Sequence, residues 1–170
     1  MKRTILALVS MIAVGAVPAG YEHWSAEQFA THEEALHKGM KNGLTSETLG
    51  NWGNHLLLKT RREASSGQAE LHEKQADLIV VQSGHAAIVI GGRILNGKTT
   101  APNEIRGTSI EGGERQSLKA GDVLHISAKT PHQVLLDPGQ TLDYIVLKVG
   151  LAVTSSRAWA GDGTSLAPDR

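Results

Sequence analysis

The stretch Glu70-Leu71-His72, followed by Asp77 and Gly84, carries residue types that bind divalent cations or move protons. On a strand, residues two apart point to the same face, so Glu70 and His72 aim together. Asp77, at the start of the next strand, can return to the same layer. Far along the chain, Gly121-Asp122-Val123-Leu124-His125-Ile126 leads through a turn to Pro131-His132-Gln133. Carboxylates and imidazoles converging from separate strands suit a divalent metal with open coordination positions. Two His with a carboxylate fit Fe(II), and similar nitrogen and oxygen sets hold Mn, Ni or Zn. A metal-free chemistry is open to the same residues: Glu70 with His72 or His132 as a general acid–base pair. Cys nucleophiles, thiolate sites and disulfides are excluded, because the chain has no cysteine. No Gly-x-Ser-x-Gly elbow occurs.

The elements that must position these residues read as short strands. Leu56–Arg62, Ala69–His72, Leu78–Gln82 and Ala86–Ile90 are β segments separated by Gly or charged turns, and Ala64–Gly67 is a turn. Val123–Ile126, Gln133–Leu136 and Leu142–Val149 supply three more. Between them, Gly91–Gln116 is a polar, Gly-rich excursion, read as an extra hairpin carrying Ile105 and Ile110. Leu44–Asn54 is turn-rich and ambiguous. Ser25-Ala26-Glu27-Gln28 is a capping box, and Phe29, Leu36 and Met40 follow on one helix face, so a short helix is expected, ending near Gly39 or Gly43. Nineteen glycines with few aromatics agree with a fold of strands and turns.

The chain begins with a targeting pattern. Lys2 and Arg3 precede an apolar run, Ile5–Val14, and Val17-Pro18-Ala19 offers a small residue at the cleavage position, the three parts of a secretory signal peptide. The run is short for a membrane span, which takes about 20 residues. The division expected is a signal peptide over 1–19, a helical or extended arm over 20–54, a barrel over 55–150 and a flexible tail over 151–170. The mature protein is then periplasmic or secreted, with no membrane attachment. Lys plus Arg and Asp plus Glu both number 17, so loss of Lys2 and Arg3 leaves a net charge of −2. No basic footprint for nucleic acid is present.

At the site residues the chain resembles the cupin superfamily. The first motif of that family is His, any residue, His, four residues, Glu, six residues, Gly. Here Glu70 stands at the first His, His72 at the second, Asp77 at the Glu and Gly84 at the Gly. The second motif is Gly, five residues, Pro, a residue, Gly, two residues, His. Here Gly121 leads, Ser127 replaces the Pro, Lys129 replaces the second Gly, and His132 falls on the metal His. The resemblance covers roughly Leu56–Val149 and is to small, single-domain bacterial cupins. It implies an all-β fold, a cupin-type jelly-roll β-barrel with a short N-terminal helix. It also implies a divalent metal held by His72, His132, Glu70 and Asp77; the acid–base reading of the residues makes Glu70 the candidate catalytic residue. Two of the family's four ligands are replaced, which makes the expected site harder and more anionic, and Asp77 is one methylene shorter than Glu. A barrel in which Glu70, His72 and His132 only hydrogen-bond one another is the alternative. The implied partner is a small polar molecule, either converted by oxygenase, isomerase or lyase chemistry or merely bound. A homodimer is expected, because small cupins pair through sheet edges and an uncovered edge is a liability.

His125 is a weaker candidate on the strand before His132, and His55 is weaker still. His23, His32, His37 and His85 read as helix-surface, turn or loop residues. Gly92–Thr99 matches the phosphate-loop pattern, but that loop needs a following helix whose amides face phosphate. Thr99-Thr100-Ala101-Pro102-Asn103 cannot supply one, so no nucleotide binding is expected.

Overall fold

The computed structural model describes residues 20–150. The expected signal peptide over 1–19 and the tail over 151–170 lie outside the described residues.

The capping box sets the first element. Ser25 Oγ accepts from the Gln28 backbone N–H at 3.3 Å, and Gln28 Oε1 accepts from the Ser25 N–H at 2.7 Å. Helix α1 runs Ala26–Lys38 and stops at Gly39. It packs on the first two strands, β1 (Leu44–Asn51) and β2 (His55–Glu63). Leu36 is buried there. His32 and His37 reach Glu47 and Glu63. The ammonium of the buried Lys59 lies 5.2 Å from the centre of the Phe29 ring.

The chain continues as β3 (Ala69–His72) and β4 (Gln75–Ile90), then three short strands, β5 (Arg93–Leu95), β6 (Lys98–Ala101) and β7 (Glu104–Gly107). After β8 (Ser109–Glu111) and β9 (Glu114–Lys119) come β10 (Val123–Ile126), β11 (His132–Leu135) and β12 (Thr141–Gly150). All the pairings are antiparallel.

Strand β4 organises the barrel, because it belongs to two sheets. Its first half lies between β12 and β10, and β12 continues to β2 and β1. Its second half lies between β11 and β9, and β11 continues to β3, β7 and β6. The switch is made near Gly84, at φ +83°. The register against β12 slips there, with Asp143 opposite Ser83 and Tyr144 opposite Val81, the mark of a β-bulge. A Cβ at Gly84 would overlap the Thr141 carbonyl oxygen. Leu78–Gln82 and Ala86–Ile90, expected as two strands, are therefore one bent strand, because glycine with a bulge turns a strand without ending it.

Two other expectations change. Leu44–Asn54 is mostly strand: β1 pairs with β2 from Leu44 opposite Arg62 to Asn51 opposite Leu56. Its Ser, Thr and Gly content hid a strand that gains its order from β2. The Gly91–Gln116 excursion holds five strands. Of these, β7 extends one sheet from β3, and β9 pairs with β4 along Ile90–His85.

Period-two burial fills the space between the sheets. Ile79 and Val81 of β4, Leu142, Tyr144 and Val146 of β12, and Val134 of β11 join Ile88, Leu118, Ile126 and Leu136 in one core. Ile88 and Leu142 are fully buried. Each such side chain contributes about 1.5–3 kcal/mol by leaving water. The result is the all-β jelly-roll barrel with one short N-terminal helix that the sequence leads one to expect.

Candidate metal centre

The same alternation that builds the core places the polar cluster. Glu70 and His72 occupy inward positions of β3, Asp77 the first inward position of β4, and His132 the start of β11. Register does the rest. Glu70 stands opposite His132 on one side and Arg106 on the other, and Asp77 stands opposite Lys148. Cross-strand partners hold their Cβ atoms about 4.5–5.5 Å apart, so these side chains must meet.

They meet with their coordinating atoms forward. His72 Nε2 lies 3.9 Å from Glu70 Oε2 and 3.4 Å from Asp77 Oδ2. His132 Nε2 lies 3.7 Å from Glu70 Oε1 and 3.7 Å from Asp77 Oδ2. The ligand atoms of Glu70, His72 and His132 all fall within 4.8 Å of one another. His72, Asp77 and His132 are buried. His132 Nδ1 donates to the Thr130 carbonyl at 3.0 Å, which leaves Nε2 as the bare nitrogen facing the cluster. His72 Nε2 accepts from the Lys148 ammonium at 2.8 Å, so it too carries its lone pair inward. The loop before β11 is tied to this layer by the Lys129 N–H, which donates to the His72 carbonyl at 2.7 Å. Lys129 has φ +64°, which explains why a glycine suits that position.

All four expected site residues are thus brought together, with Asp77 Oδ2 beside both imidazoles. The expectation of a more anionic centre is corrected. Lys148 Nζ lies 2.8 and 3.0 Å from the two Asp77 oxygens, and Arg106 Nη2 lies 2.9 Å from Glu70 Oε2. Each carboxylate therefore has its own cation. Burial opposes ionisation of Asp77, but the neighbouring His72 and the Lys148 ammonium outweigh it and hold the carboxyl below its ordinary range. Burial dominates at His132 and pushes the imidazole below its ordinary value, against the pull of Glu70.

These residues fit a divalent cation. Two inward imidazole nitrogens and a carboxylate stand at separations close to those of ligands sharing one small ion, and the donor set is one that Fe, Mn, Ni or Zn accepts. Lys148 sets a condition, because its ammonium already holds Asp77 and the metal-facing nitrogen of His72.

Above the cluster lies a cavity of about 150 Å³ lined from both sheets. Ser46 and Thr60, whose hydroxyls are 2.8 Å apart, stand near Leu44 on the β1 side. Arg106 stands on the opposite sheet, one-third exposed. Lys148 was legible as an inward charge, since Leu142, Tyr144, Val146 and Lys148 alternate along one face of β12. Arg106 was hidden within the stretch read as an excursion. His125 is exposed on the outer face of β10, outside the site, and His85 is exposed on β4. Lys98 and Thr99 lie in β6, so no helix follows the glycine loop.

No protein-family model matches the sequence, and no curated protein matches it. Among solved structures, the chain is similar to KdgF from Halomonas sp., at 15% identity and TM-score 0.48, over 66% of this chain and 84% of that one. A cupin protein from Bacteroides fragilis is 15% identical at TM-score 0.47, over 72% and 90%. A cupin-like protein from Thermotoga maritima is 15% identical at TM-score 0.46, over 62% and 68%. Strand pairing, register and the converged carboxylate–imidazole cluster give this chain a jelly-roll β-barrel with a candidate metal centre between its two sheets.

Proposed function

We propose that the protein binds one divalent metal through Glu70, His72 and His132 and acts there on a small polar molecule. The convergence of these three ligand atoms within 4.8 Å of one another carries the reading. The metal would supply Lewis acidity and a template for the ligand. Glu70 is the proton carrier, since its carboxylate lies beside both imidazoles and is the more open of the two acids. Oxygenase, isomerase and lyase chemistry all suit such a centre. Asp77 stays with Lys148 as a charge pair beside His72.

The contacts of Lys148 favour a second reading: a metal-free barrel in which the ammonium is the resident cation and the cavity binds its ligand or does acid–base chemistry. Metal analysis of the purified protein separates the two. The first reading expects near-stoichiometric metal in wild type and in His125→Ala, and little in His132→Ala. Equal metal content in wild type and a His72→Ala, His132→Ala double variant would overturn it.

The proposal extends to export, on the strength of Lys2, Arg3 and the Ile5–Val14 run. N-terminal sequencing of the secreted protein is expected to start near Gly20, and a mature chain starting at Met1 would refute it. A homodimer paired along a sheet edge completes the reading. A monomer mass by light scattering at high protein concentration counts against it.

A further inference from the structure

Three cationic side chains line the cavity: Arg62, Arg106 and Lys148. Arg106 pairs with Glu70, and Lys148 pairs with Asp77. Arg62 is different. It is only 7% exposed, and among the described residues it has no carboxylate partner. Its Nε donates to the Tyr144 hydroxyl at 3.0 Å, and its Nη groups make no side-chain hydrogen bond to a described residue. A guanidinium carries five N–H donors in a fixed fork. A buried charge without a partner is costly, and such groups normally find a counter-ion.

The surroundings of Arg62 hold this fork in place. The guanidinium lies against Gly67, where a Cβ would stand 3.0 Å from Nη2 and 3.1 Å from Cζ and Nη1. Gly67 is itself pinned, its N–H donating to the Val134 carbonyl at 2.8 Å and its carbonyl accepting from Gln133 Nε2 at 2.8 Å. The Tyr144 oxygen accepts from Arg62, so its own proton is free to donate to a ligand. Burial keeps that phenol protonated.

We infer that Arg62 and Tyr144 form the anchor for a carboxylate, so that the cavity takes a small monocarboxylate whose other end faces Glu70, His72 and His132. This rests on reading the cavity as a small-molecule site, and it does not require the metal. One spare positive charge matches a monoanion. Arg pairs with a carboxylate through two parallel hydrogen bonds. A phosphate dianion would bring surplus charge against Leu58, Ile79, Val134 and Val146, which form the wall between the two ends. Those residues ask for an apolar middle in the ligand. A cavity of about 150 Å³ is the size that encloses a benzene-scale guest.

The probes are butyrate, its neutral isostere butyramide, and inorganic phosphate, titrated into the full protein by ligand-detected NMR. Wild type is expected to bind butyrate at least about tenfold more tightly than butyramide or phosphate, the preference expected of a charge-assisted contact. Arg62→Met, checked for folding by circular dichroism, is expected to abolish that preference and leave butyramide unchanged. If Arg62→Met does not fold, Arg62→Lys is read instead; it keeps the charge and loses the fork, and is expected to lose most of the preference. Unchanged butyrate binding in the folded Arg62 variant overturns the inference, as does equal wild-type binding of butyrate and butyramide. Absence of any binding up to about 50 mM, the range open to so small a ligand, overturns both this inference and the small-molecule reading. The His72→Ala, His132→Ala double variant separates this site from the metal. Retained carboxylate preference there supports the Arg62 anchor, whether or not the wild type holds metal. Preference lost in the double variant and kept in Arg62→Met places the carboxylate at the metal end and overturns the inference alone.

Discussion

Lys148 is the side chain whose removal tests the metal centre most directly. Its ammonium holds both oxygens of Asp77, at 2.8 and 3.0 Å, and the metal-facing nitrogen of His72 at 2.8 Å. A metal that takes His72 must first release that nitrogen. Hydrogen bonds to charged groups contribute about 1.5–3 kcal/mol each, and the freed ammonium recovers part of this from water, since the lysine side chain is not fully enclosed. A net cost of about 2–3 kcal/mol to metal binding follows, or roughly 30- to 150-fold in affinity. Charge repulsion between ammonium and metal adds to this, so the figure is a lower bound. Lys148→Met is therefore expected to bind Mn(II) or Zn(II) at least about 30-fold more tightly than wild type by calorimetric titration. Without metal the same variant leaves Asp77 buried without its ammonium partner. Removing one partner of a buried pair costs about 3–5 kcal/mol, so the apo variant melts well below wild type. A metal at about a thousand times its Kd restores about 4 kcal/mol, and the deficit then closes. A Lys148→Met protein that binds metal no more tightly than wild type would refute the reasoning, because ammonium and metal would then not compete for the same donors.

Two further predictions concern stability. Burial lowers the pKa of His132 in the folded state, so the folded protein binds fewer protons there than the unfolded chain. The stability tied to that group is fully present above the unfolded value of about 6.5 and is lost as pH falls through the lowered folded value. Asp77, also lowered, adds a second loss that begins only below its ordinary value of 3.8. The urea midpoint should therefore fall on acidification from neutrality, and by less in His132→Gln; a midpoint that rises through this window contradicts the assignment. Gly84→Ala places a side chain at φ +83° and against the Thr141 carbonyl. Strain and overlap together should cost about 2–5 kcal/mol and lower the melting temperature by roughly 10 °C or more. An unchanged melting temperature would show that the bend in β4 does not need glycine.

Local pattern in the sequence determined what depends on neighbouring residues alone. Helix α1 was legible because a capping box closes over four residues, from Ser25 to Gln28. The inward positions of Glu70 and His72 followed from the two-residue period of a strand, and the absent helix after Gly97 followed from Pro102 and the β-branched threonines. Spacing also brought Asp77 and His132 into the candidate site through the family resemblance. Tertiary structure decided the rest, because the deciding forces act between distant strands. Whether Ser83-Gly84 ends a strand or bends it depends on β12, whose bulged register lets β4 cross from one sheet to the other. Whether Leu44–Asn51 is a strand depends on β2 lying beside it. The charge of the site was the largest surprise. Glu70 and Asp77 suggested an anionic centre, but antiparallel register set Arg106 and Lys148 opposite them and neutralised both. Arg62 acquires its significance in the same way: only the folded barrel shows that it lines the cavity with Leu44 and Leu142 opposite and no carboxylate partner among the described residues, because cross-strand partners are chosen by register and not by proximity in the chain.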